Sequence, residues 1–315
     1  MENESRFQSF YYDQLEPQLD TFESERKKIV NKTFITLFAF IIIYILLIVV
    51  FINNEDVVGA LAIIAFVVFF ITFFILKYFY AKNYKKTFKQ NIINLILSYF
   101  KKDLQYFPEQ MIPQSTFSES QIFNHAFNKY YGEDLVTGTT DGIPISFSEL
   151  KVLYETGAGK NRSTTTVFKG VFVVIHMPVN HFGNTFILPD KAEKLFGGKI
   201  GNFLQSLGKS RGTLVKIDNK EFEKEFVVYG SNPDNTRSLL NNILVENLID
   251  LRKRAGNKIH VSFIGNMVYV AVNSNQNMFE PRIFRKLKDF QYMNMQAEYI
   301  QFYTNIVKVL NTKRN

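Results

Sequence analysis

The sequence predicts an α+β protein held in a membrane. A two-helix transmembrane hairpin with a helical stalk is followed by a domain of mainly antiparallel sheet with packed helices. Three observations carry this. Two charge-free runs of twenty residues lie side by side near the N-terminus. Apolar stripes at helical spacing flank them on both sides. From about residue 133 the apolar period falls to two, with tight-turn residues between the runs.

Residues 1–32 form an amphipathic helix. Phe7, Phe10, Tyr11, Leu15, Leu19, Phe22 and Ile29 make one stripe with charges opposite, and Pro17 predicts a kink or break near residue 16. Residues 33–76 hold the hairpin, with spans at 33–52 and 57–76. At about 1.5 Å per residue each span is ~30 Å long, the thickness of a bilayer's hydrocarbon core. Asn53–Asp56 is too short a link for anything but antiparallel helices. Arg26, Lys27, Lys28 and Lys32 precede the first span, and Lys77, Lys82, Lys85, Lys86 and Lys89 follow the second, while the link has no cation. This asymmetry places both termini in the cytoplasm. Gly59, Ala62 and Ala65 offer a small-residue face for close helix approach. No ionisable residue lies within either span, so the hairpin reads as an anchor rather than an ion pathway.

Residues 77–107 continue the second helix as a juxtamembrane amphipathic helix, with Phe88, Ile92, Leu95, Ile96, Tyr99, Phe100 and Leu104 on one face. Pro108 and Pro113 close it. Packed on the N-terminal helix, it forms the stalk. Its cations serve as the topology signal, and Lys82, Lys85, Lys86 and Lys89 are the candidate lipid-headgroup contacts, at about 1 kcal/mol each near an anionic surface.

Residues 108–315 form the cytosolic α+β domain. Two strands turn at Asp141–Gly142. Residues 165–177 and 184–190 read as two further strands, joined through the segment HMPVNHFGN at 176–184. Asp190 caps a short helix ending at Gly197–Gly198. Residues 212–218 and 225–231 read as strands. Asp234 or Asn235 opens a helix with Leu239, Leu240, Ile243, Leu244, Leu248 and Leu251 on its apolar side, in whose last turn Arg252, Lys253 and Arg254 complement the dipole ahead of Gly256. Residues 258–263 and 267–273 form a hairpin over Ile264–Gly265–Asn266. A last helix runs from about Pro281 to about Leu310. A half-barrel closed by that helix, of pleckstrin-homology type, is an alternative arrangement of the same elements.

Four blocks of this domain resemble a known family. VFKGVFVV at 167–174, ILPDKAEKLFG at 187–197, EFEKEFVVYG at 221–230 and FEPRIF at 279–284 are similar to the signatures of domain-of-unknown-function family 3137. The resemblance covers roughly residues 110–312. The polar loop at 157–166 and the segment 176–184 depart from it. It implies a bacterial inner-membrane protein with two N-terminal spans and a cytosolic domain, and a LemA-type membrane protein as partner. It brings no catalytic residue and no cofactor.

Composition narrows the function classes. The chain has 315 residues, 46% hydrophobic and 21% charged, with a net charge of +8 and no cysteine. Disulfides, thiolate metal sites, cysteine nucleophiles and dithiol redox work are excluded. The positive charge is spread without a dense patch, so nucleic acid is not an expected partner. Gly208–Gly212 matches G-x-S-x-G, but the strand-then-helix context of a nucleophile elbow is reversed. Gly159–Lys160 and Gly208–Lys209–Ser210 lack the earlier glycine of a phosphate loop. His176 and His181 stand five apart without a third ligand by spacing. Glu221, Glu223 and Glu225 alternate with Phe222 and Phe226 as a solvated face. No catalytic, metal or cofactor residue is therefore assigned. The expected role is a non-catalytic module at the membrane, binding the bilayer and a protein partner. A tethered hydrolase-type enzyme and a transporter or channel subunit are the alternatives.

Overall fold

A computed structural model describes residues 2–51, 55–100, 103–190, 211–256 and 259–311. The chain divides into two compact units, one of Met1–Tyr99 with Phe279–Gln296, the other of Phe100–Met278 with Ala297–Asn315.

The first unit is helical. Helix α1 (Glu2–Phe10) passes through a π turn, Tyr11–Leu15, into α2 (Glu16–Phe51). The helix does not end near residue 16; the irregularity expected there is the π turn that closes at Leu15, and helical backbone continues through Pro17. Within the π turn the Glu16 N–H bonds to the Tyr11 carbonyl, five residues back. Helix α3 (Glu55–Phe88) leads through a second π turn, Lys89–Ile93, into α4 (Asn94–Tyr99). The two arms meet through their stripes. Leu15, Leu19, Phe88, Ile92, Ile93 and Ile96 are fully buried. Phe22 stands edge-on to Phe88 at 5.6 Å, and Phe7 edge-on to Tyr99 at 5.2 Å, geometries the ring quadrupole favours.

The second unit is an antiparallel sheet with helices on it. Its strands are β1 (Leu104–Phe107), β2 (Lys129–Thr140), β3 (Ile143–Thr156), β4 (Ser163–Pro189), β5 (Thr213–Leu214), β6 (Phe226–Gly230) and β7 (Ile259–Asn273). The order is β1-β2-β3-β4-β6-β5, with β7 on β4. Its helices are α5 (Gln114–Glu119), α6 (Lys220–Glu225), α7 (Pro233–Leu239) and α8 (Asn242–Ala255). Helix α9 (Phe290–Leu310) has residues in both units. One sheet face packs Phe168, Phe172 and Tyr269 against Phe117 of α5. The other buries Phe147 against Tyr303 of α9, ring centres 5.4 Å apart.

Several expected boundaries move, each for a local reason. The stripe ending at Leu104 leaves the helix, because Leu104–Phe107 pairs with Leu135–Gly138. The two strands expected around HMPVNHFGN are one strand, β4. Its pairing with β7 shifts at His176/His181 and again before Thr185, so irregularity in register replaces a loop. The expected hairpin at 264–266 is likewise the single strand β7. Both halves pair with β4, from Val261↔Ile187 to Asn273↔Gly170, and Gly265 takes φ +60° at the irregular point. Residues 220–225 coil into α6 because the Asn219 side chain accepts from the Glu221 and Phe222 amides. The helix opened at Asp234 or Asn235 is two helices. Asn232 caps the first, and Asn241 caps the second by accepting from Leu244 N at 2.9 Å. The last helix starts at Phe290 instead of Pro281. The Asp289 carboxylate takes the Tyr292 amide at 3.1 Å, as an N-terminal cap does. The Asp141–Gly142 turn forms as expected, with φ +52° and +77° and β2 paired to β3 from Thr140↔Ile143 onward. The strand pairings run as an open path, so no barrel closure appears among the described residues. The expected helix at 190–197 and most of Gly208–Gly212 lie outside the described residues.

Candidate functional site

The densest charged constellation lies in the helical unit. It is built where residues 279–289, which are not helical, run between the two arms. Glu280 receives two cations of α3 and the following turn, Lys85 Nζ at 2.5 Å and Lys89 Nζ at 3.1 Å. Burial pushes the Glu280 carboxyl up, but Lys89 and Lys85 outweigh it and hold the pKa below the usual carboxylate value. On α2, Arg26 grips Glu23 through two bonds, Nε to Oε2 at 2.9 Å and Nη2 to Oε1 at 2.6 Å. Both residues are buried, at 8% exposure each.

Buried charges need their remaining hydrogen-bonding capacity filled, and this segment fills it. Arg26 Nη1 donates to the Ile283 carbonyl at 2.8 Å, and Glu23 Oε2 accepts from the Leu287 amide at 3.0 Å. The hydrogen bond from Arg26 holds Glu23 below its ordinary pKa, against burial, which raises it. Arg282 lies 4.1 Å over the Tyr292 ring and pairs with Asp289 at 2.7 Å. Lys288 reaches Asp20 at 2.7 Å. The segment is thus fastened at its start to the C-terminal part of α3 and the turn after it, and at its end to the N-terminal part of α2.

Lys85 and Lys89, two of the four lysines expected at lipid headgroups, therefore face Glu280, and Lys89 is only 3% exposed. Lys82 and Lys86 remain on the exposed face. Composition and spacing did not reveal the Glu23–Arg26 pair. The signals present were the i, i+3 acid–base spacing and the FEPRIF block, whose Glu280, Arg282 and Ile283 all take part.

In the sheet unit, Glu133, Asp134 and Glu149 bring three carboxylate oxygens within 4.8 Å of one another. They sit at the β2 bulge, where the pairing shifts between Glu133 and Val136 and Asp134 takes φ +62°. An all-oxygen set of this kind suits a hard divalent cation. Its geometry is also explained from within the fold. Tyr106 donates its hydroxyl to the fully buried Asp134, and the Met278 amide donates to Glu149. A groove of about 390 Å³ beside them is lined by Glu133 and Glu149 but also by Lys151 and Lys169, which balances its charge.

Among the described residues, the other sequence candidates are not brought together. His176 bonds Asn266, and His260 is buried beside Phe123. Arg211, in the G-x-S-x-G stretch, is buried and donates to the Gln121 and Ile122 carbonyls. Burial lowers its pKa to about 10. It holds the backbone of Gln121–Ile122 in place.

Fold and constellation define a class: an antiparallel α+β domain in a chain whose long apolar helices flank a charged clamp. Residues 166–312, from β4 to the end of α9, match the family model described as protein of unknown function (DUF3137). No curated protein matches. Among solved structures, the chain is similar to the crystal structure of the mycobacterial trehalose monomycolate transport factor A, TtfA. The two are 12% identical over 73% of this chain and 96% of that one, with a TM-score of 0.31.

Proposed function

We propose that the chain is a two-span membrane protein whose α+β domain works on the cytoplasmic side as a non-catalytic interaction module. One observation carries the reading. Phe34, Ile35, Phe38, Leu46 and Val50 of α2, and Ile64, Ile71 and Phe74 of α3, are 52–73% exposed. By length and composition a helix within Arg6–Val50 is able to cross a bilayer. Apolar surface in water costs about 25 cal/mol per Å², and contiguous patches of this extent mark a membrane or partner interface. Outside these runs Phe22, Tyr84 and Phe88 are buried and Glu23 pairs with Arg26, which fits a boundary where lipid gives way to water.

The exposed cations Lys27, Lys28, Lys32, Lys82 and Lys86 all lie on the side of the belt away from Glu55 and Asp56. By the positive-inside rule that side is cytoplasmic. Lys82 and Lys86 stay as candidate contacts for anionic headgroups. A LemA-type membrane protein is the partner to test. Reporter fusions at Asn54 and after residue 315 should read external and cytoplasmic respectively. Recovery of the full chain as a monodisperse species in detergent-free supernatant would sink the reading.

A further inference from the structure

The helical unit contains a third element that points at the same belt. Residues 280–288 climb one arm and descend the other. Glu280 is tied to Lys85 and Lys89. Phe284 lies over Phe73 of α3, ring centres 6.5 Å apart and planes only 16° from parallel. The turn is held by Ile283 O on Arg26 before it and by Leu287 N on Glu23 and Lys288 on Asp20 after it, at positions of α2 that step about a turn at a time away from the first span. Lys85 and Phe73 are twelve positions apart on one helix, a rise of about 18 Å. Four residues from Glu280 to Phe284 span at most ~14 Å, and the long lysine and phenylalanine side chains supply the rest. The apex is therefore Phe284–Arg285–Lys286, and it stands beside the last turn of the 57–76 span.

The apex has the chemistry of the water–lipid boundary. Phe284 is 48% exposed although the residues on either side of the apex, Ile283 and Leu287, are buried. Arg285 and Lys286 are exposed next to it. An aromatic ring with two adjacent cations suits the depth where acyl chains meet phosphates, the ring entering the apolar side and the cations reaching the anionic one.

We infer that Phe284–Arg285–Lys286 is an interfacial membrane anchor, with Phe284 seated at the acyl boundary and Arg285 and Lys286 on the phosphates of anionic lipid. This rests on the two-span reading. Its consequence is that the segment leading from β7 into α9 touches the bilayer as well as the arms.

Trp is absent from the chain, so a single introduced Trp reports its own depth. Full-length Phe284→Trp and Tyr44→Trp proteins are reconstituted into phosphatidylcholine vesicles, with and without phosphatidylglycerol, carrying bromines high or low on the acyl chain. Phe284→Trp should be quenched about twofold more by high bromines than by low ones, since interfacial side chains sit ~5–10 Å into the boundary. Phosphatidylglycerol should strengthen that quenching, and Arg285→Gln with Lys286→Gln should remove the added effect. Tyr44→Trp, inside the first span, should favour low bromines. Iodide-accessible Phe284→Trp fluorescence that ignores bromines, beside a normally quenched Tyr44→Trp, would overturn the anchor alone. A Tyr44→Trp that ignores bromines as well would overturn the spanning reading and the anchor with it.

Discussion

Arg26 and Glu23 show how a single buried pair is made tolerable. Each charge would be costly alone, and together they are still under-bonded until Ile283 O and Leu287 N arrive. Removing one partner leaves the other buried and uncompensated. Arg26→Met should therefore cost the helical unit about 3–5 kcal/mol, while Glu23→Gln with Arg26→Met should cost markedly less. Denaturant unfolding of full-length protein in mild detergent measures both. The same pair, with Glu280, sets a pH dependence. Both carboxylates have folded pKa values lowered from 4.5. Their contribution is present above that value and is lost as pH falls through the lowered folded values. Melting temperature should drop below about pH 4.5, and Glu280→Gln should flatten part of that drop. An unchanged acid limb in the variant would remove Glu280 from the account.

Strands and helices are decided by what the backbone can pair with. In β4, Gly170 lies between Leu150 and Asn273 in register. Its φ is +150°, and a Cβ there would sit 2.1 Å from the Val272 carbonyl oxygen. Gly170→Ala should force β7 away from β4 and destabilise the sheet unit by roughly 2–3 kcal/mol. Loss of protection at Val270–Val272 amides in hydrogen exchange would report it, and wild-type protection would contradict it. Asn241 tests the helix break. It turns one apolar stripe into two helices by capping Leu244, so Asn241→Ala should cost about 1 kcal/mol. A larger loss would mean the residue does more than cap.

At the level of the whole molecule, the exposed apolar belt decides how the chain is handled by a cell. A charge at the middle of a spanning helix costs ~2.5–3.5 kcal/mol of insertion free energy. In the proposed two-span topology, Leu46→Arg should shift an Asn54 reporter away from the external reading in a sizeable fraction of chains. Substituting Ser9, outside the belt, should leave it unchanged. Equal behaviour of the two variants would argue that the belt is covered by protein.

Much of this was legible because some signals are local. Charge-free runs, helical stripes, the Asp141–Gly142 turn and the alternation of β2 and β3 need only neighbours within a few residues, and the structure agrees with them. The α+β class and the four family blocks were legible for the same reason. What escaped depends on partners far along the chain. Residues 281–289 carry an apolar pattern that fits a helix, but their carbonyl and amide groups are taken by Arg26 and Glu23, more than 250 positions away. Lys85 and Lys89 look like solvated cations until Glu280 is set against them. By itself the sequence determined which segments shun water and which alternate. Only the tertiary structure decided which buried charges meet and where the segment between them points, because burying a charge requires a partner that linear spacing does not name.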